Sequence, residues 1–255
     1  MHDLSFGWLV VVVFAATALV TAGIYFAVMR LAQGDRGTAF KAVSPGLLPP
    51  MGLIFGLLIG FLAAQLWGEA TDARHAVNTE ASSLRSVVLL ASALPAESED
   101  RLDTLIRRHI EQAVADEWPA MARQDVTLRV IPVPLAEALR EAIALEPRDG
   151  GERAAQEEIV SSLQDALDAR RQRVIVSESS VNWVKWAAVI ALAVLTLLAT
   201  AFVHSDNPRT AVIAMSIFSA GVAITLVLVG SQDRPFSGEF AVEPDVLLQV
   251  LPPEK

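Results

Sequence analysis

The sequence predicts an all-α integral membrane protein with four transmembrane helices and a helical soluble region between the second and third. Three observations carry this. First, four apolar runs, with Lys185 as their one charge, are each long enough to cross a bilayer: Gly7–Met29, Leu47–Trp67, Trp183–Val203 and Thr210–Gly230. Second, charge crowds into the middle, where Glu69–Glu178 holds 21 carboxylates and 13 arginines, a net of −8 out of −9 for the whole chain. Third, apolar residues in that middle recur every three or four positions, the period of a helix with one buried face. A hydrophobic fraction of 53% and a mean hydropathy of +0.44 set the chain apart from a soluble protein of 255 residues. The expected organisation is a first transmembrane pair over 1–67, a soluble region over 68–182, a second pair over 183–232 and a tail over 233–255.

Gly7–Met29 reads as a membrane span rather than a cleavable signal peptide. The preceding residues include His2 and Asp3 instead of a basic segment, and the apolar run is too long. Gln33–Ser44 is a polar connector. In the second span, Pro49 and Pro50 stand at the front, where a helix has no use for their missing N–H. Gly52, Gly56 and Gly60 share one face and would let another helix approach closely within the bilayer. The opposite face carries Phe55, Ile59 and Leu62.

Beyond Trp67 the helical period continues through Ala73, Val77, Ala81, Leu84 and Ala91, so the span is expected to run on as a rod until Pro95 ends it. A second soluble helix follows, with Ser98 as its expected N-cap and Leu102, Leu105, Ile106 and Ile110 as its apolar stripe. Asp125–Pro132 alternates like a short strand but lacks a partner, which favours an extended linker or a loose helical turn. Pro134–Leu145 is a short helix, and Asp149-Gly150-Gly151 marks a loop. From Glu152 a helical pattern runs without Pro or Gly into the third span. If continuous to Val203 it would reach about 78 Å. His204–Arg209 is a tight turn before the fourth span.

The termini and the middle share one side of the membrane. Near the spans that side carries Arg74, Arg85, Arg170, Arg171, Arg173, Lys185 and Arg234, against Arg30, Arg36, Lys41 and Arg209 on the other. The excess places the soluble region in the cytoplasm.

Catalytic signatures are missing from the sequence. It has no Walker loop, no GxGxxG and no HExxH, and the four histidines are scattered. His109-Ile110-Glu111 matches half of a deaminase motif, but the chain has no cysteine to complete it. No metal site, cofactor or enzymatic activity is expected. The acidic middle disfavours nucleic acid as a partner. Its carboxylates read as solvated helix faces. Two of them stand out, because Glu69 and Asp72 lie at i and i+3 just past Trp67, where a ring of subunits would repeat them as a charged mouth. The turn Asp233-Arg234-Pro235-Phe236-Ser237-Gly238-Glu239 follows the last span, with Phe236 able to fill an apolar gap and Arg234 able to meet Asp233, Glu239 or lipid phosphate.

The stretch DRPFSGEFAVEPDVLLQVLP resembles the terminal signature of the bestrophin-like domain family of bacterial membrane proteins. EATDARHAVNTEASSL after the second span, Leu94-Pro95, Glu117-Trp118 and ALDARRQRVIVSES before the third are similar to that family too. The resemblance implies a bacterial plasma-membrane protein remotely related to bestrophins. Those are oligomeric ion channels with four spans per subunit and a pore lined by the second. On that basis Phe55, Ile59 and Leu62 are expected to form an apolar constriction, with Gly52, Gly56 and Gly60 packing helices. Glu69 and Asp72 would set the charge at the inner mouth, with a slight lean to cations. The expected partners are membrane lipid, inorganic ions and further copies of the chain. The alternative is a non-conducting scaffold or sensor whose soluble helices bind another protein.

Overall fold

The computed structural model describes residues 6–32 and 46–252. The expected connector Gln33–Ser44 lies outside them, as do His2 and Asp3. The described chain is helical throughout, in the order α1 (Phe6–Leu31), α2 (Leu48–Ala91), α3 (Ala96–Gln112), a π turn (Ala113–Glu117), α4 (Trp118–Arg123), α5 (Val133–Ala144), α6 (Gly150–Ser177), α7 (Trp183–Val203), α8 (Pro208–Gly230) and α9 (Asp245–Leu248). No strand occurs among the described residues. Four of these helices, α1, α2, α7 and α8, are long and apolar enough to cross a membrane.

The chain divides into two compact units. A membrane unit comprises Met1–Trp67 with Ser180–Asp233, and a helical unit comprises Gly68–Ser179 with Arg234–Lys255. α2 contributes to both as one uninterrupted helix of 44 residues. The expected rod beyond Trp67 is therefore present, and it ends at Ala91, in the turn before Pro95.

Within the membrane unit, α1, α7 and α8 close around Val28, Leu197, Ala201 and Met215. Thr21 Oγ1 donates to the Thr17 carbonyl within α1 at 2.7 Å and pairs with the Ser219 hydroxyl at 2.9 Å between α1 and α8. A second cluster joins α2 to α7 and α8 through Leu62, Leu66, Val181, Val189 and Val229. Within the helical unit, one core gathers Ala73–Ala91 of α2 with Leu102, Ile106 and Ile110 of α3, Leu135 and Ala138 of α5, Ile159 and Leu163 of α6, and Phe236, Leu247 and Val250 of the tail.

Three local expectations are corrected. α3 begins at Ala96, so Ser98 lies inside the first turn and its N–H donates to the Pro95 carbonyl; Ser98 is no N-cap. Gly150 and Gly151 form the first turn of α6 rather than a loop. The Asp149 carboxylate accepts from the N–H groups of Gly151 and Glu152, both at 2.8 Å, and so starts the helix. The rod from Glu152 to Val203 is broken between Ser177 and Trp183. Ser177 and Ser179 each donate to a carbonyl three residues back at 2.7 Å, Asp233 Oδ1 takes the Val181 N–H at 2.9 Å, and Asn182 caps α7. Serine and asparagine side chains satisfy the backbone locally, which lets a helix stop where no Pro or Gly stands. Residues 126–130 form a turn, with the Val130 N–H on the Thr127 carbonyl.

Candidate pore helix and the ionic core

α2 has two unlike faces within the membrane unit. Leu62 and Leu66 are buried and Phe55 and Ile59 half-buried, all packed with Val181, Val189, Val229, Trp186 and Leu226. Phe55 also meets the Phe218 ring at 5.9 Å. The other face is open. A Cβ added at Gly52, Gly56 or Gly60 would meet no atom within 4 Å, and Leu53, Leu57 and Phe61 are 65%, 53% and 73% exposed. Phe55, Ile59 and Leu62 hold the subunit together, and the glycine face is the one left without a neighbour inside it. The physical reason is size: the bulky branched and aromatic side chains fill the space against α7 and α8 that glycine would leave empty.

Glu69 and Asp72 also part company. Glu69 is half-buried in the helical unit, and its Oε2 accepts from Ser179 Oγ at 3.2 Å. Asp72, one turn on, is exposed.

The terminal signature is built into the fold. Asp233 terminates the membrane unit by holding the Val181 N–H. In the helical unit, Phe236 is buried and meets the Trp118 ring edge-on at 5.9 Å. Trp118 Nε1 donates to the Val242 carbonyl at 3.0 Å, and the Val242 N–H donates to the Pro235 carbonyl at 2.8 Å. Gly238 has φ +88°, a backbone conformation that side chains with a Cβ rarely adopt, which lets the chain turn back after Phe236. Glu239 is exposed beside this turn, whereas Arg234 is half-buried, with its Nε shielded from solvent and meeting no acceptor among the described residues.

The residues that sequence reasoning missed form a buried ionic network in the helical unit. Arg173 of α6 is fully buried; its Nε and Nη2 donate to the two oxygens of Glu80 at 2.7 and 3.1 Å. Nη2 also donates to Glu117 at 2.9 Å. Arg170, one turn earlier, donates from Nε and Nη2 to the other Glu117 oxygen at 2.8 and 2.6 Å, and reaches the Val130 carbonyl at 3.4 Å. His109 Nε2 stands 3.0 Å from Glu80 Oε1, and since an ionised carboxylate can only accept, that nitrogen carries the proton. The Arg173 guanidinium lies 4.5 Å over the Trp118 ring, which connects the network to the tail signature.

The electrostatics are self-consistent. Burial pushes the Glu80 carboxyl up, but Arg173 and His109 outweigh it and hold the pKa at about 2. Glu117 is likewise lowered, with Arg173 and Arg170 overcoming its burial. Burial lowers Arg173, and Glu80 and Glu117 more than restore it. Two guanidinium groups face two carboxylates, so these four charges balance. The π turn places Glu117 between Arg170 and Arg173, and such turns are often found at specialised positions in helices. Among the described residues, no group of His, Asp and Glu is arranged to hold a metal ion.

Four apolar spans, one of them prolonged into a helical unit with an ionic core, define a multi-span all-helical membrane protein. The profile of the Bestrophin-like domain matches residues 15–247, and the chain belongs to that family. Its fold is similar to solved structures of a bacterial Bestrophin homologue from Klebsiella pneumoniae. A tryptophan-to-alanine variant superposes with TM-score 0.72 at 14% identity over 95% of each chain. An isoleucine-to-threonine variant gives 0.70 at 12%, covering 95% of this chain and 97% of that one. The homologue solved by zinc phasing gives 0.66 at 12%, covering 94% and 95%. No functionally curated protein matches the sequence.

Proposed function

We propose that the protein is an oligomeric ion channel of a bacterial plasma membrane, with the second span of each subunit lining a shared pore and the helical unit in the cytoplasm. Bestrophins, whose known members are ion channels, supply the class. The observation that carries the proposal in this chain is the two-faced second span. One side packs against its own subunit, with Leu62 and Leu66 buried and Phe55 and Ile59 half-buried, and the other presents Gly52, Gly56, Gly60, Leu53 and Leu57. Small residues spaced by four suit close packing of neighbouring copies around an axis. Leu53 and Leu57 then supply the apolar constriction that gates by dewetting, in place of Phe55, Ile59 and Leu62.

The charge at the inner mouth falls to Asp72, because Glu69 is tied to Ser179. The lean towards cations rests on that one carboxylate. Purified protein in liposomes should pass ions under a salt gradient, and Asp72→Asn should shift the reversal potential where Glu69→Gln leaves it in place. Tight liposomes with correctly inserted protein would rule out conduction.

A non-conducting scaffold is the second reading. The observation favouring it is the run of exposed aliphatic side chains at Leu128, Val130, Ile131 and Val133 in the helical unit. The same liposome measurement separates the two.

A further inference from the structure

The membrane unit carries a groove that the channel reading does not use. It runs between α1 and α8, encloses about 430 Å³ and is lined by Phe14, Ala18, Ala22, Phe26, Val212 and Met215 with neighbouring small residues. Its floor is closed by the Thr21–Ser219 hydrogen bond, and Thr17 turns its hydroxyl back on the carbonyls of Val13 and Phe14, while Tyr25 and Ser216 add two further hydroxyls to the lining.

The helical period leads each wall of the groove to an arginine. On α1, Phe14, Ala18, Ala22, Phe26 and Arg30 follow one another at intervals of four. On α8, Arg209, Val212, Ser216 and Ala220 follow at three, four and four. On α8 the steps cancel to within about 20° of arc, so Arg209 stands over the same face as Ala220; on α1 each step of four turns about 40°, so Arg30 lies one such step round the helix from Phe26, at the edge of the groove wall. The two helices run antiparallel, since Thr21 meets Ser219 while Val28, seven residues later on α1, packs in one cluster with Met215, four residues earlier on α8. Arg30 lies nine residues beyond Thr21 and Arg209 ten before Ser219, about 14 and 15 Å along their helices. Both exposed guanidinium groups therefore stand at the same end of the groove. Among the described residues of the adjoining turn, Asp206 is the one carboxylate, so that end keeps a net positive charge. From Arg209 to Ala220 the wall extends about 16 Å, close to half of the ~30 Å hydrocarbon core.

We propose that this groove binds one anionic phospholipid, with an acyl chain of one leaflet lying along Phe14–Phe26 and Val212–Ala220 and the phosphate held between Arg30 and Arg209. Two guanidinium groups at the mouth of a slot one leaflet deep complement the charge and length of such a lipid. Arginine suits phosphate because its planar fork donates to two oxygens at once. A zwitterionic lipid fits the slot equally but brings a choline that the arginines repel.

The test uses the full-length protein in detergent, titrated with phosphatidylglycerol or with phosphatidylcholine of the same chains and followed by native mass spectrometry. One phosphatidylglycerol per chain should bind about tenfold more tightly than phosphatidylcholine, equivalent to about 1.4 kcal/mol. The Arg30→Gln/Arg209→Gln variant, changed only at exposed positions, should lose that preference while keeping its phosphatidylcholine affinity. Ala22→Trp fills the slot and should abolish both. Equal affinity for the two lipids, or an unchanged preference in the arginine variant, would overturn the proposal. Retention of phosphatidylglycerol by folded Ala22→Trp would show that charge alone attracts the lipid, and would overturn the slot. The chain has no cysteine, so Ala22→Cys reports any second copy seated on the groove. Disulfide-linked dimers formed there in vesicles would assign the groove to a neighbouring subunit and not to lipid.

Discussion

The membrane unit and the helical unit are held together by opposite means. In the membrane unit the contacts are apolar clusters and a few scattered hydrogen bonds, such as Thr21–Ser219, Lys185–Gln65 and Val181–Asp233, and wide faces of α1, α2 and α8 remain open. In the helical unit a dense apolar core surrounds a network of five ionisable side chains. Lipid supplies no hydrophobic drive between spans, so packing there is by fit, and a face can be left for another copy or for lipid at little cost. The helical unit is built instead of charge-rich amphipathic helices, whose apolar stripes close on one another, and charges caught inside must be paired. One unit is built to offer surfaces and the other to hold its own shape.

Breaking the ionic core should have the largest effect on this contrast. Arg173→Ala leaves Glu80 buried without its main partner and should destabilise the full chain by about 3–5 kcal/mol in chemical denaturation. Replacing both members, Glu80→Gln with Arg173→Met, should cost clearly less than the single change, because no buried charge is then stranded. A double variant as damaged as the single one would show that packing, and not charge pairing, sets the core.

The same network gives a pH dependence with a defined sign. Glu80 is held at about 2 against an ordinary 4.5, so its contribution is complete above about pH 4.5 and disappears as pH falls towards 2. The interval corresponds to about 3 kcal/mol. Glu80→Gln should flatten that part of the stability profile, and an unaltered acid limb would remove Glu80 from it.

Next comes the tail. Phe236→Ala should cost about 3 kcal/mol by leaving a cavity against Trp118. Trp118→Phe should cost about 1 kcal/mol for the lost hydrogen bond to Val242, plus the weaker stacking of Arg173. Equal losses in the two variants would mean that the signature turn is not anchored through this ring pair.

The smallest effect belongs to the membrane unit. Thr21→Val should cost only about 0.6 kcal/mol, since a polar side chain in a bilayer finds other partners when one is lost. A loss near that of Arg173→Ala would erase the distinction between the two units.

Much of this was legible in the sequence because it depends on period and length. The four spans, the extension of the second span past Trp67 and the family signature at Asp233–Glu239 all rest on such signals. The ionic core was missed although a trace of it was present. Glu80 lies three residues after Val77 and four before Leu84, and Arg170 and Arg173 continue the stripe of Ile159, Leu163 and Ala166. A charge in the middle of an apolar stripe announces a buried partner, but which partner depends on tertiary packing. The break at Ser177–Asn182 was hidden because its stops are side-chain hydrogen bonds, one of them from Asp233, far along the chain. The face of α2 that packs inward could not be chosen from period alone. Both the glycine side and the Phe55 side are uncharged, and only the shapes of α7 and α8 decide between them.

The orientation of that helix can be read directly in the absence of native cysteine. Cysteine is placed singly at Leu57 and at Ile59, the purified protein is reconstituted in liposomes, and ion flux is followed before and after a charged, membrane-impermeant thiol reagent. Flux through Leu57→Cys should fall sharply on modification and flux through Ile59→Cys should not change. Block at Ile59 with Leu57 untouched would put the buried face on the pore and contradict the proposed lining.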